Sequence, residues 1–504
     1  MRKLIVCCDG TWNTPHNMDG GTPAPTNVYK FYTAITGSDQ QLKYYRSGVG
    51  TNGSRLRKYS GGALGYGIDD DIKSPFKWLC DHYRGPTKDQ IFVCGFSRGA
   101  YTVRSLGGLI GKVGLLDHTS ADLTEPEKWE AVTAAYNYYR QRSDTAPPQE
   151  GSHEDVPIRF MGVFDTVGAL GIPPDLNFMR RMFNRRKYQF HDTVLGQGVK
   201  TARHAVAMDE RRFSFTPTLW TKIDSKRDIK QIWFPGVHGD IGGSYAQAGL
   251  GDITLDWMIT EAAKCGLDFQ ERFLDQLSPD DRGLLHDSVQ GGFKWLRTQP
   301  RAVPDVNSTK YVHASARRRL AKPPITQSDY WPTGKLKKGA APVTRTIGAK
   351  HRWCATGLYL EKGATYHFEA SGEWLDKSLK SGPEGLKNSF QAAGHAVLAG
   401  VGRLKRALFS IEDDQTSRAI LSRRQDQWPW FALVGVIANG ERQLKPGVPE
   451  EQDTEPPTHQ PFLIGARAGP VVPRESGYLY CYPNDAWHFY GNNRGKMTLT
   501  IRRE

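Results

Sequence analysis

One run constrains the fold more than any other: Gln90-Ile91-Phe92-Val93-Cys94-Gly95-Phe96-Ser97-Arg98-Gly99, followed by Ala100-Tyr101-Thr102-Val103-Arg104-Ser105-Leu106. An apolar strand runs straight into a Gly-x-Ser-x-Gly turn, and the residues after the turn can start a helix. A strand that reverses into a helix within so few residues needs small neighbours to admit the strained serine backbone, and it lifts the serine to the edge of the sheet. The start of the helix would also set its positive dipole end beneath the hydroxyl. The pentapeptide alone occurs by chance in many chains. With this strand and this helix around it, Ser97 reads as a nucleophile rather than a turn residue.

Up to about residue 310, strand-like runs alternate with helical ones. Short apolar or β-branched runs at Lys3–Cys8, Gln90–Cys94, Ile158–Phe164 and Gln231–Val237 suit buried parallel strands. Helices are expected at Ile68–Tyr83, Ala100–Val113, Pro126–Arg142 and Thr254–Leu277. This alternation predicts a mainly parallel α/β sheet with helices on both faces. Prolines, glycines and lysines crowd between about 320 and 347, which reads as a linker. The remainder, 348–504, looks β-rich. Leu358–Leu360 and Thr365–Ala370 are expected as strands about a turn at Lys362-Gly363, with further strands at Phe431–Ile437, Gly477–Cys481 and Lys496–Arg502. The expected organisation is a catalytic domain over 1–320, a linker over 321–347 and a β-sandwich over 348–504. Apolar residues at 386, 390, 393, 397, 401, 404, 408 and 411 step by three or four, which predicts an amphipathic helix inserted at about 384–412. Lys387, Arg403, Lys405 and Arg406 fall off that stripe, so the helix suits either docking on its own protein or a basic lid at a membrane surface.

A serine hydroxyl attacks only when a base removes its proton, and that base is usually a histidine oriented by a carboxylate. Asp165 follows the run Phe160–Phe164 and suits the acid; its other reading is a helix N-cap, because Thr166 and Gly168 follow. His238 follows Gln231–Val237 and opens the loop Gly239-Asp240-Ile241-Gly242-Gly243, so it suits the base, against a loop histidine with structural partners alone. His204 and His313 lack that strand-then-loop setting. Asp240 is an alternative acid or a support for the His238 loop. Acyl transfer also needs two N–H donors for the developing oxyanion. The residue after the nucleophile, Arg98, would supply one. Gly10 or Thr11 in Asp9-Gly10-Thr11-Trp12-Asn13 would supply the other, although an ordinary strand-exit turn explains the same residues.

Composition narrows the classes. No run of eighteen apolar residues exists, so no transmembrane helix is expected, and five apolar residues before Asp9 are too few for a signal-peptide core. The expectation is synthesis in the cytoplasm, with any export independent of a cleaved signal. Seven scattered cysteines in no Cys-x-x-Cys spacing argue against a zinc site or a disulfide framework. The net charge of +14 favours polyanionic surfaces, yet the basic residues are dispersed and no nucleic-acid motif occurs; a solvated basic surface explains the charge, and anionic lipid is the functional partner kept beside it.

Taken together, Cys8–Asn13, Gly95–Ala100, Phe164-Asp165-Thr166-Val167, Met208-Asp209-Glu210-Arg211-Arg212-Phe213 and Pro235–Gly243 resemble, in this order, the α/β-hydrolase family that includes the first class of type VI secretion lipase effectors. The resemblance spans roughly 1–315. It implies phospholipase A activity through a Ser-Asp-His triad, carried here by Ser97, Asp165 and His238, needing no cofactor. A secretion apparatus and an immunity protein are the partners it implies.

The C-terminal region resembles a second family, the galactose-specific calcium lectins of bacteria, through Gly357–Trp374, Tyr482-Pro483-Asn484-Asp485 and Tyr490-Gly491-Asn492-Asn493. In that family an Asp, a carbonyl four residues on and two consecutive Asn side chains hold Ca²⁺. The matching positions are Asp485, Phe489, Asn492 and Asn493, an oxygen set suited to a hard cation. Phe489 is bulkier than the family's residue there and would crowd a sugar. Carbohydrate is therefore a further expected partner, beside a retained sandwich with no ligand. Three functional readings follow: a lipid-cleaving serine hydrolase, a carboxylesterase on small or glycan-linked acyl esters, and a non-catalytic carbohydrate-binding protein.

Overall fold

The structure, a computed structural model, describes residues 1–48, 64–119, 123–140, 152–167, 195–221, 223–295, 297–386, 423–440 and 459–504. The expected helical insertion falls almost wholly in 387–422, outside the described residues.

The first unit is a six-stranded parallel sheet. Its strands are β1 (Arg2–Cys8), β2 (Gln41–Arg46), β3 (Asp89–Phe96), β4 (Ile158–Phe164), β5 (Val199–Ala207) and β6 (Asp228–Phe234), in the spatial order β2-β1-β3-β4-β5-β6. Helices α1 (Asn27–Ala34), α2 (Leu64–His82), α3 (Arg98–Val113), α4 (Glu125–Tyr139), α5 (His238–Gly242) and α6 (Gly249–Lys264) flank it. Side chains that alternate along each strand build two separate cores. Leu4, Val6, Val93 and Met161 pack under α2, α3 and α4, whereas Ile5, Cys7, Phe92 and Phe160 pack under α1, α5 and α6. The expected α/β architecture with both faces covered is therefore the one observed.

Some element boundaries differ from expectation. The helix expected over Thr254–Leu277 ends at Lys264, because Gly266 takes a left-handed φ of +101°, and a separate turn, α7 (Glu271–Leu274), follows. In this sheet two strands, β2 and β5, escaped prediction; both mix charged or histidine residues into the run, which hides the apolar pattern of a buried strand. The cysteines are all free, and most lie in the cores.

After α8 (Ala314–Ala321), the stretch expected as a linker is tied down: Tyr330 and Trp331 both donate to Asp209, at 2.8 Å each. The second unit begins at β7 (Val343–Gly348) and continues with β8 (Cys354–Leu360), β9 (Tyr366–Asp376), β10 (Leu379–Ser381), β11 (Leu433–Ala438), β12 (Gln460–Leu463), β13 (Arg467–Val471), β14 (Gly477–Pro483) and β15 (Asn493–Arg503). One antiparallel sheet runs β8-β14-β11-β12; the other runs β10-β9-β15-β7, with β13 also on β9. Trp374, Phe368, Leu433 and Leu479 meet between them in one core. The two strands expected about Lys362-Gly363 do not pair, since β8 and β9 lie in opposite sheets and the turn crosses between them. Among the described residues no helix is long and apolar enough to cross a membrane.

Candidate active site

In a parallel sheet every strand ends at the same edge, so loops far apart in sequence meet there. Five of them do so here. The chain leaves β1 for β2 on one side and returns to β3 on the other, which opens a crevice between the ends of β1 and β3. Cys8 pairs with Gly95 in that register, and the next residues bring Gly10 against Ser97. A Cβ on Gly10 would lie 3.0 Å from the Ser97 Cβ, so a side chain there would press on the serine.

Ser97 occupies the turn between β3 and α3 with φ +56° and ψ −117°, a conformation L-residues avoid. Two contacts hold it there. Ser97 N–H donates to Phe164 O at 3.1 Å, and α3 packs so closely on β1 that a Cβ on Gly99 would fall 2.0 Å from the Cys8 carbonyl oxygen. Asp165, at the end of the neighbouring strand, also has positive φ, +35°, as does Trp12 at +64°. Three of the seven non-glycine residues with positive φ among those described thus gather at one edge, as strained functional sites do.

Asp165 is fully buried and accepts four hydrogen bonds. The donors are Ala207 N–H at 2.9 Å, Arg301 Nη1 at 2.6 Å, Arg301 Nη2 at 2.9 Å and His238 Nδ1 at 2.6 Å. Burial alone would raise its pKa, but the Arg301 guanidinium and the His238 bond outweigh burial and hold the carboxyl well below the usual range. A carboxylate can only accept, so His238 Nδ1 carries its hydrogen and Nε2 keeps the lone pair. The imidazole lies between two rings, with centroids 4.6 Å from Phe96 and 5.0 Å from Phe215. Burial lowers the His238 pKa, partly offset by Asp165, which keeps the ring neutral and basic at neutral pH.

The structure therefore joins Asp165 to His238 directly and sets His238 against Phe96, the residue before Ser97. It does not join Asp240 to His238. Asp240 Oδ2 accepts Val237 N–H at 2.9 Å and Oδ1 bonds His286 Nδ1 at 2.6 Å, so this carboxylate supports the loop. His204 lies beneath the site, accepting Thr166 N–H at 3.2 Å, and His313 caps α8. Of the expected oxyanion donors, Arg98 is the first residue of α3 and its guanidinium reaches Thr11 Oγ1 at 3.4 Å. Gly10 N–H donates to Asp9 Oδ1 at 2.7 Å, and Thr11 follows it in the same turn. Asp9 is itself fixed by Thr26 at 2.6 Å and Tyr45 at 2.8 Å, and burial pushes it up to about 6.

Sequence reasoning left the Met208–Phe213 motif without roles and missed Arg301 altogether. Asp209 accepts Gly236 N–H at 2.7 Å, and Glu210 accepts His238 N–H at 3.2 Å, so two adjacent carboxylates hold the turn that carries His238. Arg212 lies over Phe215, 3.4 Å from its centroid, and pairs with Glu210 at 2.8 Å. The adjacent acids Asp209 and Glu210 within that motif were the available signal for the first two. For Arg301, one of many arginines in a basic chain, no local signal exists.

In the second unit, Asp485 Oδ2 accepts from Asn493 Nδ2 at 2.9 Å, and Asn492 Nδ2 donates to Asp376 at 2.6 Å. The side-chain oxygens of Asn492 and Asn493 are buried without a hydrogen-bond partner. Buried oxygens left unpaired are costly, and beside two carboxylates they suit a hard cation. Of the expected calcium ligands, Asn492 and Asn493 thus present unpaired oxygens beside Asp485 and Asp376, whereas the Phe489 carbonyl accepts Asn492 N–H at 3.4 Å.

The catalytic-domain model of the type VI secretion phospholipase effectors, Tle1-like, matches residues 2–261, just over half of the chain. The uncharacterized protein YEL023C of Saccharomyces cerevisiae is 28% identical over 245 residues, covering 44% of this chain and 33% of the relative, so the match spans about a third of that protein. The Tle1 effector bound to the VgrG spike of a type 6 secretion system aligns over 49% of this chain and 51% of its own, at 18% identity and a TM-score of 0.30. The EclA N-terminal domain, a PllA-like lectin, aligns over 32% of this chain and 95% of its own, at 14% identity and a TM-score of 0.19. On the extent of the first match, this chain belongs to the Tle1-like family of type VI secretion phospholipase effectors.

Proposed function

We propose that the protein is a serine hydrolase that cleaves the carboxylic esters of membrane phospholipids, as a phospholipase A. One observation carries the chemistry: His238 Nδ1 bonds a buried, ionised Asp165 at 2.6 Å, and its ring packs on the residue beside a strained Ser97. In the reaction, His238 Nε2 takes the Ser97 proton as Oγ attacks the ester carbonyl. Asp165 stabilises the imidazolium, and the N–H groups of Arg98 and Thr11 receive the oxyanion. The proton then passes from His238 to the leaving alkoxide. Water, deprotonated by the same histidine, hydrolyses the acyl-enzyme, so no cofactor enters the cycle.

Family membership supports phospholipid as the substrate and delivery by the secretion apparatus. The net charge of +14 supports an anionic surface, and Trp12, 47% exposed beside the Gly10 loop, supports contact with lipid at the mouth of the site. In the second unit, Asp485, Asn492, Asn493 and the Phe489 carbonyl would hold Ca²⁺, which would brace that loop rather than enter the reaction.

The test is labelling by a fluorophosphonate together with fatty-acid release from mixed phospholipid vesicles, comparing wild type with Ser97→Ala. Both signals are expected in wild type and neither in the variant. Labelling without release would move the substrate to another ester, and absence of labelling would overturn the serine-hydrolase reading.

A further inference from the structure

The segment from Arg297 to Val306 lies between the two units. On the hydrolase side, Phe213 N–H donates to Arg297 O at 3.0 Å and Gln299 N–H to Arg211 O at 2.7 Å. On the other side the sandwich grips the same segment at three places. Trp353 Nε1 donates to Thr298 O at 2.9 Å, His459 Nε2 to Pro300 O at 2.6 Å, and Val306 N–H to Tyr478 Oη at 3.1 Å. These three residues lie on or beside β8, β12 and β14 of one sheet. His459 is buried and accepts Gly440 N–H on Nδ1 at 3.1 Å, so its Nε2 carries the hydrogen that reaches Pro300.

Between these holds stands Arg301, only 5% exposed. Its guanidinium takes both oxygens of Asp165 and also donates to Ala207 O at 2.8 Å and Phe215 O at 2.6 Å. A bidentate pair of this kind fixes the rotation of a carboxylate as well as its charge. Asp165 Oδ2 is thus shared between Arg301 and His238. Arg301 lies beyond the residues that the family model matches.

We propose that Arg301 is a positioning residue for the catalytic acid and that the C-terminal sandwich, by gripping the Arg297–Val306 strap, is a working part of the active site. The inference rests on the serine-hydrolase reading above. With a permanent cation already on Asp165, the carboxylate stabilises a second positive charge on His238 less than it would alone. The base therefore stays neutral to lower pH, and its orientation depends on a strap that the second unit holds. The charged groups facing His238 are Asp165, Glu210 and Arg212, with Arg301 on Asp165 and the buried, neutral His204 behind that carboxylate.

The experiment is kcat/KM against pH on a soluble ester with the full chain, each variant normalised by fluorophosphonate titration of its reactive serine. Arg301→Met is expected to lower kcat/KM at pH 7 by roughly tenfold to a hundredfold. It should also move the acid limb up by about one pH unit, because Asp165 then acts on His238 alone. Arg301→Lys, which keeps the charge and loses the fork, should lower kcat while leaving the limb near wild type. His459→Ala should move the limb in the same direction by less, and His459→Gln, which keeps an amide donor for Pro300, should restore it. A residue that only stabilised the fold would reduce the titratable serine without moving the limb. An unmoved limb in Arg301→Met, or an unchanged profile in His459→Ala, overturns the proposal while wild type still labels. Wild type that does not label removes the serine-hydrolase reading and this inference with it.

Discussion

Glu210 accepts the backbone N–H of His238 at 3.2 Å while its carboxylate pairs with Arg212 at 2.8 Å. The histidine backbone is therefore held by an ion that is itself buried and paired. Burial would raise the Glu210 pKa, but Arg212 outweighs it and lowers the value from 4.5 to about 2. A depressed carboxyl pKa stabilises the fold above the unfolded value, and that stability is lost as pH falls from 4.5 towards about 2. Urea unfolding of wild type should lose a few kcal/mol across this window through Glu210. Glu210→Gln should start less stable at pH 7 and show a flatter acid limb; parallel limbs in the two proteins would rule this account out.

Asp165 and Arg301 form a buried ion pair, so removing one partner strands the other. Asp165→Asn should cost about 3–5 kcal/mol of stability, because Arg301 is left without its counter-charge. The double variant Asp165→Asn with Arg301→Met should be more stable than the single one. Denaturant unfolding of the four proteins in a double-mutant cycle measures the coupling. Additive losses would mean that the two groups do not act as a pair.

Gly10 has no room for a side chain, since a Cβ would meet Ser97 Cβ at 3.0 Å and Asn13 Nδ2 at 2.8 Å. Gly10→Ala should slow fluorophosphonate labelling by about tenfold or more by shifting the nucleophile from its attack geometry. Far-UV circular dichroism should stay at the wild-type level. Labelling at the wild-type rate would show that the loop yields without disturbing Ser97.

Trp12 projects from the same loop and is 47% exposed. If the site works at a lipid surface, Trp12→Ala should lose more activity on phospholipid vesicles than on a soluble ester. The extra loss should be about fivefold to tenfold, consistent with about 1 kcal/mol or more for a buried indole. Equal losses on both substrates would argue that Trp12 serves the loop rather than the membrane.

In the sandwich, burial pushes Asp485 up to about 7, against hydrogen bonds from Asn493 and Ala486. A cation that needs this carboxylate must displace its proton, so calcium affinity should fall by about tenfold per pH unit below 7. Titration calorimetry in two buffers of different ionisation enthalpy should report close to one proton released at pH 6. Asp485→Asn should abolish binding. Binding without proton release, or retained by the variant, would place the ion elsewhere.

The local geometry of this protein was legible in its sequence wherever a pattern depends on neighbouring residues. The turn at Ser97 is encoded by the strand before it, the glycines around it and the helix after it. Asp165 and His238 each stand at the end of an apolar run, and a parallel sheet brings such ends to one edge. The alternation of strands and helices likewise announced the α/β unit, though β2 and β5 were hidden by their polar residues. The role of Asp240 stayed open, because the direction of its carboxylate depends on His286, far from its loop in sequence. Only the tertiary structure decided that Arg301, 136 positions from Asp165, holds that carboxylate, and that His459 and Trp353 hold the strap bearing it. Contacts of this kind have no periodicity and no spacing rule. They arise where two folded units press on one extended segment, so no stretch of the chain carries their signature.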